Sequence, residues 1–203
     1  KDMPGVPIYT EPSTDQTEGK PRGTLQETYN QVLSDLKEAE VLLEGYNRGD
    51  LKNNFNQAVV QGVLSDVYLT MNDWSNAEIY AKKVMNQYPL TSNNDYLAGF
   101  SDINTASWIW GMEQSEEQNM GDYSPFAMWA NWTRGDCWTF QCFYLAQSFV
   151  EKFDANDVRA SQIEWIWDMI HISYKFRDNE ACRGSIVFMR TESMLLNAAE
   201  ALC

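Results

Sequence analysis

Hydrophobic residues at three- and four-residue steps predict a first helix from Thr24 to about residue 44. Thr24 and Glu27 have the spacing of a capping box, and Gly45 is the expected end of the helix. The apolar positions form one stripe, which contains Leu25, Tyr29, Val32, Leu36, Ala39 and Leu43. This pattern is typical of a helix that packs with one side against the rest of a domain.

A second helix is predicted over residues 54–71, where apolar residues occupy more than one side. Such a helix is expected to lie buried between neighbours. The Asn72-Asp73 pair predicts a tight turn, and Asp73 or Ser75 is the expected cap of a third helix that ends near Pro89. The pattern therefore indicates an antiparallel helical hairpin.

The hairpin has the residue spacing of a tetratricopeptide repeat, with Tyr68, Ala77 and Pro89 at the corresponding positions. In such a repeat the small Ala lets two helices approach closely, the Tyr fills the groove beside it, and the Pro ends the second helix. One repeat cannot bury both of its faces. We therefore expect the helix at 24–44 and a helix at 189–202 to pack against it.

The periodicity weakens after Pro89, and the elements there are shorter. Alternating large residues at 107–112 predict a short strand or an extended segment, residues 114–137 resemble a loop, and residues 143–153 predict a helix. Residues 163–174 fit either a strand or a buried helix. The stretch 185–202 predicts a short strand that leads through Arg190 into a final helix.

Composition excludes several classes of partner. The chain has 203 residues and a formal charge of −14, from 29 acidic and 15 basic residues. Nucleic-acid binding requires concentrated Lys and Arg, so no nucleic-acid partner is expected. The same acidity disfavours adsorption on an anionic membrane surface. No run of about 18 apolar residues is present, so no membrane-spanning segment is predicted.

The residues that usually carry catalysis or bind metals are few or scattered. His171 is the single histidine and lies in an apolar run, where a structural role is the ordinary interpretation. The four cysteines, Cys137, Cys142, Cys182 and Cys203, lack paired metal spacing. Asp154, Asn156 and Asp157 alternate oxygen donors, but the glycine and terminal glutamate of a calcium loop are missing. The clustered Glu113, Glu116 and Glu117 are expected by chance in so acidic a chain. We therefore predict no catalytic residues, metal or cofactor.

Aromatic residues are more informative, because the chain has eight Trp, ten Tyr and nine Phe, and most of the Trp lie between residues 108 and 167. Indole faces can stack on pyranose rings while nearby polar groups bind the hydroxyls. The predicted ligand-binding residues are Trp129, Asn131, Trp132, Arg134, Asp136 and Trp138. Trp132 is the preferred one because its neighbours are polar, whereas Tyr123 and Trp108 are weaker candidates. The alternative is that one or two of these Trp fill the core and anchor the loop.

Four groups of segments, taken in order along the chain, resemble the SusD/RagB family of outer-membrane nutrient-binding lipoproteins. They are GVPIYTE at 5–11 with PRGTLQETY at 21–29 and SDLKEAEVLL at 34–43, then the hairpin at 56–85, FVEKFDANDVR at 149–159, and MRTESMLLNAAEAL at 189–202. One departure is Ser193, which lies where the family usually has a Glu three residues after the Arg.

The resemblance implies a mainly all-α fold of tetratricopeptide-like hairpins, with an irregular aromatic-rich loop region and minor β-structure. It implies one domain over 1–203, incomplete at both ends, with helices at 24–89, a ligand region at 90–185 and the start of a further repeat helix at 186–203.

The resemblance also implies a non-enzymatic protein that binds nutrients, chiefly glycans, and delivers them to a SusC-like TonB-dependent transporter. The protein would lie on the extracellular face of the outer membrane, held by a lipid anchor upstream of this chain. Three alternatives remain open. They are a peptide-binding member of the same family, a tetratricopeptide-type interaction scaffold, and an α/α glycosidase.

Overall fold

A computed structural model describes residues 2–118, 144–166, 168, 170–177 and 183–203. The helices are α1 (Leu25–Leu42), α2 (Gln57–Thr70), α3 (Trp74–Met85), α4 (Asn93–Ala98), α5 (Gln147–Val150) and α6 (Thr191–Ala201), with 3₁₀ turns at Glu116–Gln118 and Val158–Gln162. The strands are β1 (Trp108–Met112), β2 (Ile163–Ile166), β3 (Ile170–Ser173) and β4 (Ile186–Arg190). The fold is mainly helical with two small antiparallel sheets, as predicted.

The predicted capping box at the start of α1 is confirmed. Thr24 Oγ1 accepts a hydrogen bond from the Glu27 backbone N–H, and the Glu27 carboxylate accepts one from the Thr24 N–H over 2.7 Å. These bonds satisfy backbone donors that the helix itself cannot pair. The helix ends at Leu42, and the expected terminator Gly45 follows with a φ of +71°.

The hairpin of α2 and α3 is also confirmed. Asn56 caps α2, and Asp73 caps α3 after a turn in which Asn72 has a φ of +59°. Ala77 is fully buried, so α3 lies close against α2. Tyr68 is buried beside it and stacks on Tyr80 with ring centroids 5.5 Å apart. These contacts are those expected of a tetratricopeptide-like pair.

The helical core has two parts, one on each side of α2. The side toward α1 buries Val60, Leu64, Tyr68 and Ala77 against Leu33, Leu36 and Ala39. The side toward α6 buries Ala58, Val59, Ala81, Val84, Ile109, Met189, Met194 and Ala198. Helices α1 and α6 therefore cover the hairpin, as the sequence predicted.

Strands β1 and β4 join distant parts of the chain into an antiparallel sheet. Trp108 lies opposite Arg190, and Met112 lies opposite Ile186, with register shifts on both sides of Trp110. Because α6 begins directly after β4, this sheet holds the start of α6 beside the core. The predicted strand at 107–112 and the predicted strand-to-helix order at 185–202 are both confirmed.

The region between these strands corrects one prediction and decides another. Residues 163–166 and 170–173 form the β2–β3 hairpin, so the strand interpretation of 163–174 is right. The helix predicted over 143–153 is too long, since only Gln147–Val150 is α-helical. Leu145 donates its N–H to the His171 carbonyl over 2.8 Å in a β-bridge, and Ala146 is also extended, so the helix begins only at Gln147. Within the described part of the chain, no helix combines the length and apolar composition needed to cross a bilayer.

Candidate ligand-binding cleft

The six residues predicted to bind ligand lie outside the described residues. They are Trp129, Asn131, Trp132, Arg134, Asp136 and Trp138. Tyr123 also lies there. The described chain stops at Gln118 and resumes at Tyr144, one residue before Leu145. The proposal that these six side chains bind ligand therefore stays a prediction.

Trp108, a weaker candidate from the sequence, is a core residue. Its exposed fraction is 0%, and it packs with Phe100 and Ile103. A fully buried indole has no face to offer a ligand, so the interpretation of Trp108 as a ligand-binding residue is wrong. The alternation of large residues along β1 did not reveal which of them faces inward.

Two adjoining cavities form one cleft on the described surface, because both are lined by Tyr96, Arg159 and Lys175. Their volumes are about 340 and 330 Å³. Tyr96 comes from α4, Arg159 from the second 3₁₀ turn, and Lys175 from the segment after β3. The cleft is thus assembled from elements far apart in the sequence, which is common for binding sites.

One half of the cleft is mainly aromatic and aliphatic. Its lining consists of Tyr96, Leu145, Phe149, Phe153, Ile163 and Phe176, together with Ser173 and the two shared cations. Phe149 and Phe153 lie edge to face with centroids 5.2 Å apart, and the Arg159 guanidinium lies 5.2 Å from the Phe153 ring centre. Phe149 is 48% exposed, so its ring is available to a ligand.

The other half of the cleft is polar, and Asp157 organises one side of it. The Asp157 carboxylate caps the 3₁₀ turn by accepting the Arg159 N–H over 2.9 Å. It also accepts from Arg159 Nε and Nη2, the latter over 2.6 Å. These hydrogen bonds from Arg159 lower the pKa of Asp157. The turn at 154–157 is therefore built by local hydrogen bonds, including Asn156 N–H to Asp154 Oδ1.

Glu192 and Arg190 also line the polar half. Glu192 Oε1 accepts the backbone N–H of Thr91 over 2.5 Å. Glu192 Oε2 lies 3.6 Å from Arg190 Nη1, which is an ion-pair distance but too long for a hydrogen bond. The Arg190 guanidinium also lies 5.2 Å from the ring centre of Phe100. The start of α6 is thereby tied to the chain that follows α3.

Lys175 connects the two halves. Its ammonium lies 5.1 Å from the ring centres of both Phe100 and Phe176. Burial lowers the pKa of Lys175, and the positive charges of Arg190 and Arg159 lower it further. Among the described residues, no carboxylate forms an ion pair with this ammonium.

Sequence reasoning identified part of this cleft without assigning it a role. The segment at 149–159 was noted for its family resemblance, and it supplies Phe149, Phe153 and Arg159. Tyr96 and Lys175 carried no local signal, since each reaches the cleft only through the tertiary fold. The spacing of Phe149 and Phe153 was the one available hint of a shared aromatic surface.

A second aromatic surface lies on the β1–β4 sheet. Trp110 packs between Phe55 and Phe188, with centroid distances of 5.1 and 4.9 Å. Phe55 is 56% exposed and Phe188 is 50% exposed. We call this surface, formed by Phe55, Trp110 and Phe188, the sheet aromatic patch.

The remaining groups singled out in the sequence lie apart from the cleft. His171 packs on Trp165 in the β2–β3 hairpin, and its Nε2 is hydrogen-bonded to Gln147 Oε1. Glu116 pairs with Arg183 over 3.1 Å at an exposed site. In the described ranges, no group of three or more His, Cys, Asp or Glu is placed to hold a metal ion.

Comparison with known proteins places these features in a family. The SusD-like family described as starch-binding, associating with outer membrane, matches residues 3–69. A SusD-like carbohydrate binding protein from Bacteroides vulgatus ATCC 8482 is 30% identical, with a TM-score of 0.82 over 98% of this chain and 44% of that one. No curated protein matches the chain.

Two further solved structures share the fold. A SusD superfamily protein from Bacteroides thetaiotaomicron VPI-5482 is 23% identical, with a TM-score of 0.77 over 98% of this chain and 47% of that one. Surface glycan-binding protein A from Bacteroides uniformis is 16% identical, with a TM-score of 0.68 over 98% and 49%. The chain spans about half the length of these structures. With the family match and the close structural likeness taken together, this chain belongs to the SusD-like family.

Proposed function

We propose that this chain is part of a surface protein that binds carbohydrates and does not transform them. The observation that carries the proposal is the 30% identity over 98% of the chain to a SusD-like carbohydrate binding protein, at a TM-score of 0.82. Because the matched region covers almost the whole chain, including the part between β1 and β4, we expect a shared class of ligand.

The cleft supports this proposal through its chemistry. The exposed ring of Phe149 offers a flat apolar face, which suits the C–H face of a pyranose. Tyr96, Arg159 and Lys175 lie next to it and can hydrogen-bond to hydroxyls in fixed directions. Ligand sites commonly combine an apolar lining with a few placed polar groups.

We extend the proposal to residues 128–138, where Trp132 is the preferred stacking residue. Leu145 lines the cleft only two residues after the end of the undescribed range 119–143. A loop on a rigid helical frame is a common location for binding residues. Trp132 would then act together with the cleft.

The partners and the location follow from the family as proposals. The matching family is described as associating with the outer membrane, which supports a position on the cell surface. The bound glycan would be passed to a SusC-like TonB-dependent transporter, and a lipid anchor outside this chain would hold the protein on the extracellular face. The formal charge of −14 supports the exclusion of nucleic acid as a ligand.

Calorimetry of the full-length protein against a panel of polysaccharides and peptides tests the proposal. We expect at least one glycan to bind, without release of new reducing ends on incubation. Trp132→Ala and Phe149→Ala should each weaken binding with the fold intact. Trp74→Ala, which removes a 42% exposed indole on α3, is the matched control. Binding of peptides alone would contradict the proposal and favour the peptide-binding alternative.

The same measurement locates the site. If Phe188→Ala weakens binding while Phe149→Ala does not, the sheet aromatic patch is the site and the cleft assignment is wrong. If Trp132→Ala only lowers the melting temperature, Trp132 is a core residue and its proposed stacking role is wrong.

A further inference from the structure

Positive charge is concentrated in the polar half of the cleft, although the whole chain has a formal charge of −14. Arg159, Lys175 and Arg190 line this cavity of about 330 Å³, whose acidic lining residues are Asp157 and Glu192. Three cations therefore face two carboxylates. A local surplus of positive charge in an acidic protein favours an anionic ligand at that place.

Both carboxylates already have partners. Asp157 binds the guanidinium of Arg159 through Nε and Nη2. Glu192 accepts the Thr91 N–H and lies 3.6 Å from Arg190 Nη1. Neither carboxylate forms an ion pair with Lys175 in the described part of the chain. Lys175 is thus a cation of this cavity without an ion-pair partner among the described residues. Glu192 acts on it only at longer range, where it raises the pKa of Lys175 less than burial and the two arginines lower it.

The surroundings of Lys175 destabilise its positive charge. The ammonium is half-buried above the rings of Phe100 and Phe176, whose faces only partly replace water. Burial and the nearby Arg190 and Arg159 lower the pKa of Lys175. An anionic group bound beside the ammonium would offset both effects.

The position of Lys175 also restricts the shape of the ligand. Tyr96, Arg159 and Lys175 line the aromatic cavity as well as the polar one. A ligand with an anionic group at Lys175 can therefore place a ring against Phe149. A sugar ring that carries an acidic substituent combines the apolar face that suits the aromatic half with the charge that suits the polar half.

We propose that the cleft selects acidic oligosaccharides, with Lys175 as the residue that binds the anionic group. This inference rests on the proposed function and narrows it to one class of glycan. The anionic group is either the carboxylate of a uronic acid or a sulfate ester, since both present charged oxygens to an ammonium.

The test compares matched pairs of polymers on the full-length protein. One pair is polygalacturonate and its fully methyl-esterified form, and the other is dextran sulfate and dextran. We expect one acidic member to bind at least about tenfold more tightly than its neutral counterpart. The polymer pair that shows this difference in affinity identifies the recognised group as a carboxylate or a sulfate ester. Binding should weaken as salt is raised, because the attraction is electrostatic.

Variants assign the effect to Lys175. Lys175→Met should weaken acidic binding about tenfold or more, with no loss of thermal stability, because it removes a half-buried charge. Lys175→Arg should retain binding. Lys37→Met, at an exposed position on α1, should change nothing. A protein with a charge of −14 repels polyanions in general, so nonspecific adsorption does not explain a positive result.

Two results would overturn the inference and leave carbohydrate binding intact. One is equal binding of the neutral and acidic polymers, and the other is unchanged binding of the acidic polymer by Lys175→Met. If Lys175→Met fails to fold, the polymer pairs and the salt series on the unaltered protein still decide the question. Binding to no glycan of any kind would reject the proposed function itself.

Discussion

Tyr80 donates its hydroxyl hydrogen bond to Glu40 over 3.1 Å, and this bond joins α3 to α1. Glu40 also accepts from Gln61 on α2 over 2.9 Å and from Lys83 on α3 over 3.1 Å. Its side chain is 16% exposed. One carboxylate therefore links the first three helices at the edge of the core.

We expect Glu40→Gln to lower the free energy of unfolding by about 1–2 kcal/mol. The change removes the charge that receives three hydrogen bonds and points an amide N–H₂ toward at least one other donor. Urea denaturation followed by circular dichroism measures the loss. Glu38→Gln is the control, since Glu38 is exposed on the same helix. An equal effect of both variants would show that the helix link contributes little.

The Glu40–Tyr80 pair also predicts how stability depends on pH. Burial acts to raise the pKa of Glu40, but the hydrogen bonds from Gln61, Lys83 and Tyr80 lower it overall. The ionised Glu40 therefore stabilises the fold fully at pH values above the ordinary glutamate pKa. This stabilisation is lost as the pH falls through the lower pKa that Glu40 has in the folded protein. Burial, reinforced by Glu40, raises the pKa of Tyr80 to about 12. The protonated Tyr80 therefore stabilises the fold fully at pH values below the ordinary tyrosine pKa. This stabilisation is lost as the pH rises toward the folded pKa of about 12.

The free energy of unfolding, measured across a range of pH, checks both predictions. Glu40→Gln should reduce the loss of stability at acidic pH relative to the unaltered protein. Tyr80→Phe should reduce the loss at alkaline pH. Parallel curves for the unaltered protein and both variants would contradict the assignment.

Arg48 is a buried residue whose guanidinium donates hydrogen bonds to backbone carbonyls. Its guanidinium donates to the Asn54 carbonyl over 2.6 Å and to the Ile109 carbonyl over 2.5 Å, and it reaches the Tyr88 hydroxyl over 3.3 Å. We expect Arg48→Met to destabilise the protein by about 2–4 kcal/mol, because the buried Ile109 carbonyl and the part-buried Asn54 carbonyl both lose a charged donor. Thermal unfolding measures the change.

Arg48→Lys separates geometry from charge. A single ammonium cannot reproduce the planar arrangement of Arg donors, so most of the loss should remain. Lys82→Met, which removes a cation with a 57% exposed side chain on α3, should cost only a few tenths of a kcal/mol. If Arg48→Lys is as stable as the unaltered protein, the planar arrangement of the guanidinium donors does not contribute to stability.

Gly111 allows β4 to approach β1 closely. A Cβ at this position would lie 2.8 Å from the carbonyl oxygen of Ile186, which is part of the backbone and cannot move independently. We expect Gly111→Ala to cost about 1–3 kcal/mol, in the range of overpacked cores. Gly19→Ala is the matched control, since no atom lies within 4 Å of the added Cβ. Equal melting temperatures for the two variants would contradict this account.

The sequence was sufficient to predict the helical frame because its signals are local. The capping box at Thr24 and Glu27, the cap at Asp73 and the small Ala77 each act within one helix or one turn. Hydrophobic periodicity then determines which side of each helix is buried. Strands β1 and β4, which lie at the two ends of the central region, were also predictable from the alternation of large residues and the short length of each segment.

The cleft was not predictable in the same way. Tyr96, Arg159 and Lys175 come together only because β1 pairs with β4 and the intervening chain folds back on α4. The burial of Trp108 depends on a core partner, Phe100, from the segment after α4. No local pattern encodes such contacts. The predicted helix at 143–153 was too long for the same reason, since the bridge from Leu145 to His171 is non-local.

The antiparallel pairing of β1 with β4 has a consequence for how this protein can evolve. Met112 and Ile186 lie opposite each other, so the chain leaves the core and re-enters it at neighbouring points. Doubling the length of a flexible loop between fixed ends costs only about 0.6 kcal/mol in closure entropy. Insertions and deletions between residues 113 and 185 can therefore accumulate at little cost to α1, α2, α3 and α6, provided that the contacts of Phe176 with Phe100 and of Arg177 with Gly99 are kept. A lineage can lengthen or shorten this stretch and keep the same helical frame.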